Sequence, residues 1–61
     1  MKNFKLEYYK NGYVTNTEYK DFECSALAYD YARIKISSTG ADMIRVYSSD
    51  DWDYFIDIKN D

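Results

Sequence analysis

The dipeptide Asn11-Gly12 separates two runs of alternating residues, and it constrains the fold more than any other feature of this 61-residue chain. A two-residue type I′ turn needs positive φ at both positions, which asparagine and glycine tolerate best. Residues 3–10 and 13–19 are therefore predicted to form a β-hairpin. The expected pairs are Lys10 with Tyr13, Tyr8 with Thr15, Leu6 with Thr17 and Phe4 with Tyr19, so these four hairpin partners would share the face of Phe4, Leu6 and Tyr8.

The middle of the chain changes from a period of two to a helical period. A helix is predicted from about residue 25 to 38, with Ser25 as a better cap than Cys24 and Gly40 as its stop. The stripe expected to face the core holds Leu27, Ala28, Tyr31, Ala32 and Ile34, with the stem of Lys35 lying within it, whereas Tyr29, Asp30, Arg33 and Ser37 face away.

A second hairpin is predicted after the helix. In residues 42–48, Ile44 and Val46 alternate with Met43, Arg45 and Tyr47. A turn at residues 49–51 leads to a strand over residues 52–59, whose core face would hold Trp52, Tyr54, Ile56 and Ile58. The prediction is one α+β domain over residues 1–61, ordered ββαββ. The economical packing is a four-stranded antiparallel sheet with one helix on one face.

The composition argues against the common kinds of catalytic and metal-binding site. Histidine is absent and Cys24 is the only cysteine, so neither an internal disulfide nor a four-ligand zinc site is expected. No glycine-rich phosphate loop or serine-nucleophile motif occurs. The aspartates at 50, 51 and 53 lack the spacing, the glycine and the glutamate of a calcium loop. We therefore expect no enzyme, no cofactor and no metal.

The charge distribution is uneven. The net charge is −3, and residues 42–61 alone carry two basic and six acidic residues, a balance of −4. Direct nucleic acid binding is not expected, because phosphate contacts draw on lysine and arginine. No apolar stretch approaches a membrane span and no signal-like segment is present, so no membrane contact and a cytoplasmic location are expected.

The sheet face opposite the helix is predicted to bind a partner. Aromatic residues, methionine and arginine among charges are typical of an interface. The alternative is a solvated face with an acidic edge that keeps the protein soluble. The predicted partner-binding residues are Tyr9, Val14, Met43, Arg45, Tyr47, Asp50, Asp51, Asp53, Phe55 and Asp57.

Two resemblances add to this prediction. The segment "FECSALAYDYA", residues 22–32, looks like the strand end and helix start of many small ββαββ proteins. In size, acidity, absence of catalytic residues and Tyr/Asp-rich surface, the whole chain resembles small acidic phage-encoded proteins that disable host machinery, such as anti-CRISPRs, other anti-defence proteins and phage antitoxins. That resemblance implies stoichiometric inhibition of a host protein, one with a basic nucleic-acid-binding groove. The alternative is a self-associating structural or accessory protein, a homodimer with no inhibitory target.

Overall fold

The computed structural model describes residues 1–60. In chain order the elements are β1 (Lys2–Lys10), β2 (Tyr13–Phe22), α1 (Ser25–Thr39), β3 (Met43–Ser48) and β4 (Asp51–Lys59). All strand pairs are antiparallel, and the four strands form one sheet in the order β2-β1-β3-β4. The helix covers one face of this sheet. The predicted α+β class and the ββαββ order are confirmed.

The first hairpin has the predicted turn but a different register. Asn11 and Gly12 both have positive φ, 53° and 84°, and Lys10 pairs with Tyr13. A β-bulge then leaves Thr15 without a partner, so that Tyr8 pairs with Asn16. One extra residue exchanges the two faces of a strand. The predicted pairs beyond the turn are therefore wrong: Leu6 pairs with Glu18, Phe4 pairs with Lys20, and Thr17 and Tyr19 lie on the face opposite the helix.

The helix lies close to the sheet because its buried stripe is narrow and mostly alanine. Ala28, Ala32 and Ile36 are the buried helical residues, spaced four apart. This differs from the expected stripe, since Leu27 and Ile34 are 46% and 70% exposed. Small side chains let the helix axis approach the strands, and the larger Leu27 and Ile34 would not fit there.

The ends of the helix differ in how they are capped. Cys24, rather than Ser25, is the N-cap residue, and its side chain makes no capping hydrogen bond. At the other end Gly40 adopts the left-handed conformation with φ 73°, as its position in the sequence predicts.

The core is formed by the two central strands and the helix. Trp52 and Tyr54 do not belong to it, because they are 47% and 59% exposed. The prediction that they anchor the core is wrong, although Ile56 and Ile58 lie on the core face as predicted, where they pair with the buried Val46 and Ile44. The buried residues are Phe4, Leu6, Tyr8, Ala28, Ala32, Ile36, Ala41, Ile44 and Val46.

A carboxylate joins the helix to the sheet next to this core. The bulge in β2 turns Glu18 toward the helix, where its side chain accepts hydrogen bonds from the hydroxyls of Tyr8 at 2.8 Å and Tyr31 at 2.9 Å. The ring of Tyr31 also packs on Phe22, with centroids 5.3 Å apart. Both tyrosines must be protonated to donate these bonds.

Alkaline pH is therefore expected to weaken the fold. Burial, followed by the hydrogen bond to Glu18, raises the pKa of Tyr8 and of Tyr31 above the ordinary 10.0. A raised pKa contributes stability below pH 10, and this contribution is lost as the pH rises toward the folded-state pKa. We expect the free energy of unfolding to fall above pH 10, by up to about 1.4 kcal/mol per pH unit for each such tyrosine.

Denaturant titrations at several pH values measure this slope. The Tyr8→Phe variant should show a shallower decline above pH 10 than the wild type, because one of the linked protons is gone. Equal slopes for the two proteins would contradict the assigned role of Tyr8.

Candidate partner-binding surface

The sheet face opposite the helix, called the open face below, is covered by no other element of residues 1–60. Its side chains lie in rows that run across all four strands, because paired residues share a face. The rows, from β2 to β4, are Tyr19, Lys5, Tyr47 and Phe55; then Thr17, Glu7, Arg45 and Asp57; then Val14, Tyr9, Met43 and Lys59.

Arg45 holds the centre of the open face together. Its guanidinium forms a two-point ion pair with Asp57, with Nε to Oδ1 at 2.8 Å and Nη2 to Oδ2 at 3.2 Å. Its Cζ also lies 3.9 Å from the ring centroid of Phe55 and 5.4 Å from that of Tyr9. The hydrogen bond to Asp57 raises the pKa of Arg45 further. Arg45 is therefore charged at every accessible pH, and it fixes the Phe55 ring in place.

Tyr47 extends this cluster toward Lys5. Its ring lies 5.7 Å from that of Phe55, tilted by 57°, and the Lys5 ammonium lies 4.9 Å from its centroid. Lys5 is also 3.5 Å from a carboxylate oxygen of Glu7. Burial, and then the Glu7 carboxylate, raises the pKa of Tyr47 above the ordinary 10.0.

The four aspartates among the predicted partner-binding residues differ in whether they form an ion pair. Asp57 is paired with Arg45, and Asp50 lies 2.6 Å from the ammonium of Lys2. Asp51 accepts a hydrogen bond from the backbone N–H of Asp53, and neither forms an ion pair within residues 1–60. Two of the four aspartates therefore keep an uncompensated charge that can act on an approaching partner.

Two aromatic residues of this surface were missed by the sequence analysis. Tyr19 and Trp52 line a hollow of about 360 Å³ together with Lys5 and Tyr47. Tyr19 reaches the open face because of the bulge in β2. Trp52 reaches it because β4 contains three extra residues between the pairs Ser48–Asp51 and Tyr47–Phe55.

The open face thus brings together most of the predicted site. Tyr9, Met43, Arg45, Tyr47, Phe55 and Asp57 lie in adjoining rows, and Val14 lies at the β2 edge next to Tyr9. Asp50, Asp51 and Asp53 occupy the β3–β4 end of the sheet. The predicted residues other than these three aspartates therefore form one surface, with Trp52 and Tyr19 added, whereas Asp51 pairs with Ser48, which pairs with Phe4 of the helix face.

Residues 1–60 were also compared with the requirements of a metal site and of a membrane-spanning helix. No three acidic or cysteine side chains there come close enough to hold a metal ion. No helix in that part of the chain has the length and apolar character needed to cross a membrane. Comparisons with protein families, curated proteins and solved structures found no match to this chain.

Proposed function

We propose that this protein is a non-enzymatic binding protein that acts by stoichiometric association of its open face with a protein partner. The single observation that carries the proposal is the ring of Phe55. It is 39% exposed, yet it is stacked on Arg45 and packed against Tyr47. A large apolar group that is exposed and already packed against its neighbours has less conformational freedom to lose on binding than a free side chain, which is the property of an interface anchor.

The surroundings of Phe55 also suit an interface. Lys5, Glu7, Arg45 and Asp57 form pairs within the face, so their charges cancel locally. A partner that covers the centre does not have to neutralise them. Trp52 and Tyr19 add exposed aromatic area beside this centre. Aromatic residues, methionine and arginine are the types enriched at the centres of protein interfaces.

The acidic end of the sheet indicates the class of partner. Asp51 and Asp53 flank Trp52 and carry charges that no residue of 1–60 pairs. Such rim charges attract a surface of opposite sign and speed its association. We therefore propose a partner that has an apolar pocket edged by lysine or arginine, as in the basic groove of a host nucleic-acid-binding protein. Occupancy of that groove would inhibit the partner.

Self-association is the second candidate function. The observation in its favour is the balanced charge of the central rows, since two copies of the open face would not repel each other there. The molecule measures 30 × 21 × 16 Å, so its broad face approaches the roughly 800 Å² per partner of a standard interface. In this case the protein would be a homodimer with no inhibitory target.

A quantitative pull-down from host lysate tests the proposal. Wild type is compared with Phe55→Ala, which removes the anchor, and with Ile34→Ala, which truncates an exposed apolar side chain on the helix. We expect one stoichiometric partner with wild type and with Ile34→Ala, and a strongly reduced amount with Phe55→Ala.

Sedimentation of the purified protein at micromolar concentration distinguishes the two candidates. A monomer that becomes a complex with the captured protein supports the binding protein. Self-association is supported if the wild type is a dimer that captures no other protein and if Phe55→Ala is a monomer. A wild-type monomer that captures nothing, or equal capture by all three proteins, would refute a binding role for the open face.

A further inference from the structure

The hollow formed by Lys5, Tyr19, Tyr47 and Trp52 has the characteristics of a small ligand site. Its volume of about 360 Å³ falls at the lower end of the range for ligand pockets, roughly 300–1,000 Å³. Such pockets are mostly aromatic or apolar, with a few polar groups that orient the ligand. Three of its four lining residues are aromatic, and the fourth is a lysine.

The walls determine the shape of a suitable ligand. Tyr19 and Trp52 are exposed, whereas Tyr47 is half-buried and fixed by its contact with Phe55. Aromatic rings pair with one another in stacked or edge-to-face arrangements that add stability beyond the buried area. A planar ring is therefore the group that these three walls bind best.

The charge in the hollow adds a second requirement. Lys5 is the only charged residue among those that line it within residues 1–60. The carboxylate of Glu7 lies 3.5 Å from the ammonium, but Glu7 does not line the hollow and also accepts a hydrogen bond from Tyr9. A ligand carboxylate inside the hollow would therefore share the Lys5 ammonium with Glu7, because an ammonium has three N–H donors and Glu7 lies outside the hollow. The acidic residues beside Trp52 act from outside and are screened by salt.

We infer that this hollow binds an aromatic group that carries a carboxylate. The ring packs against Trp52, Tyr19 and Tyr47, and the carboxylate pairs with the Lys5 ammonium. A free aromatic acid offers this chemistry, and so does a protein segment with an aromatic residue next to an acidic one. The inference does not depend on the proposed function, because it concerns a ligand small enough to bind without a partner protein.

Three probes that share a phenyl ring and differ in charge test the inference: phenylacetate, benzyl alcohol and benzylamine. Trp52 is the only tryptophan of the chain, so the NMR resonance of its indole N–H reports on the hollow alone. We expect saturable shifts, with phenylacetate binding about two- to five-fold more tightly than benzyl alcohol, the size of a partly exposed ion pair. Benzylamine should bind more weakly than either.

Variants at Lys5 separate charge from shape. Lys5→Gln should remove the preference for phenylacetate, and Lys5→Arg should keep it. Lys59→Gln is the matched control, because it removes a positive charge from the same face four residues beyond Phe55, about 13 Å along β4. No saturable shift with any probe, or an unchanged order of affinities in Lys5→Gln, would overturn the inference.

Addition of saturating phenylacetate to the complex captured from lysate distinguishes the two sources of the ligand. Loss of the complex supports a hollow that is filled by a segment of the partner. A complex that persists with phenylacetate bound supports a hollow that serves a free aromatic acid. If no partner is captured, the probe titration alone decides the inference.

Discussion

Phe4→Ala is expected to lower the free energy of unfolding by about 3–5 kcal/mol, and Trp52→Ala by about 1 kcal/mol or less. Phe4 is 1% exposed and contacts Phe22 edge to face, with centroids 5.8 Å apart. Its removal leaves a cavity between the sheet and the helix. Trp52 is 47% exposed on the open face, so its removal leaves no enclosed cavity.

The size of the chain makes the first effect decisive. Marginal stability of roughly 0.05–0.15 kcal/mol per residue corresponds to about 3–9 kcal/mol for a domain of this length. Loss of Phe4 therefore removes a large part of the stability or all of it. Urea titrations followed by far-ultraviolet circular dichroism measure both variants. Leu27→Ala, an exposed apolar truncation on the helix, is the control and should stay close to wild type.

The comparison separates two structures of the last strand. If Trp52→Ala is as destabilising as Phe4→Ala, the indole lies in the core and β4 has the regular alternation that the sequence alone suggests. Near-wild-type stability of Trp52→Ala, together with collapse of Phe4→Ala, supports the irregular β4 that turns Trp52 to the open face.

The elements themselves were predictable because each has a strong local signal. Asn11-Gly12 requires a turn with positive φ, Gly40 ends the helix, and Ile44 and Val46 alternate in the central strand. These signals depend on a few neighbouring residues. They were sufficient for the α+β class, the ββαββ order and the membership of most of the open face.

The bulge in β2 could not be predicted from the same signals. Thr15 is a β-branched residue that fits a regular strand and gives no signal for a bulge, and both faces of this edge strand carry mixed polar and aromatic residues. The pattern therefore fits either register. Phe22 was the available clue, because its ring packs on Phe4 and Tyr31 and lies on the same face as Glu18. Correct use of Phe22 would have placed Tyr19 on the open face.

The core face of β4 was predicted wrongly for a related reason. Alternation of Trp52, Tyr54, Ile56 and Ile58 predicts one continuous face only if every residue has a partner. β3 is six residues long and β4 is nine, so three residues of β4 have no counterpart. The helix stripe was misassigned because hydrophobicity favoured Leu27 and Ile34, whereas the close approach to the sheet favours alanine.

Phe55→Ala is the second variant with a large expected effect. It should weaken partner binding by about 2 kcal/mol or more, roughly thirty-fold in affinity, mainly through faster dissociation. The ring lies on the edge strand β4 and packs against Arg45 at 3.9 Å, so it enters a complex already ordered. Its loss also removes the ring against which Arg45 and Tyr47 pack.

The acidic end of the sheet should behave differently. Asn substitutions at Asp51 and Asp53 are expected to slow association and to flatten its dependence on salt, because rim charges mainly steer the encounter. Dissociation should change little. Asp57 is left unchanged in this test, because its replacement would also leave Arg45 without its ion pair.

The central claim is that the open face is a binding surface anchored by Phe55. Surface-plasmon kinetics against the protein captured in the pull-down, a second copy included, test it most directly. Wild type, Phe55→Ala and Ile34→Ala are measured side by side, each with its fold verified by circular dichroism. The predicted result is a dissociation rate at least roughly thirty-fold faster for Phe55→Ala alone. Wild-type kinetics for a folded Phe55→Ala protein would contradict the claim.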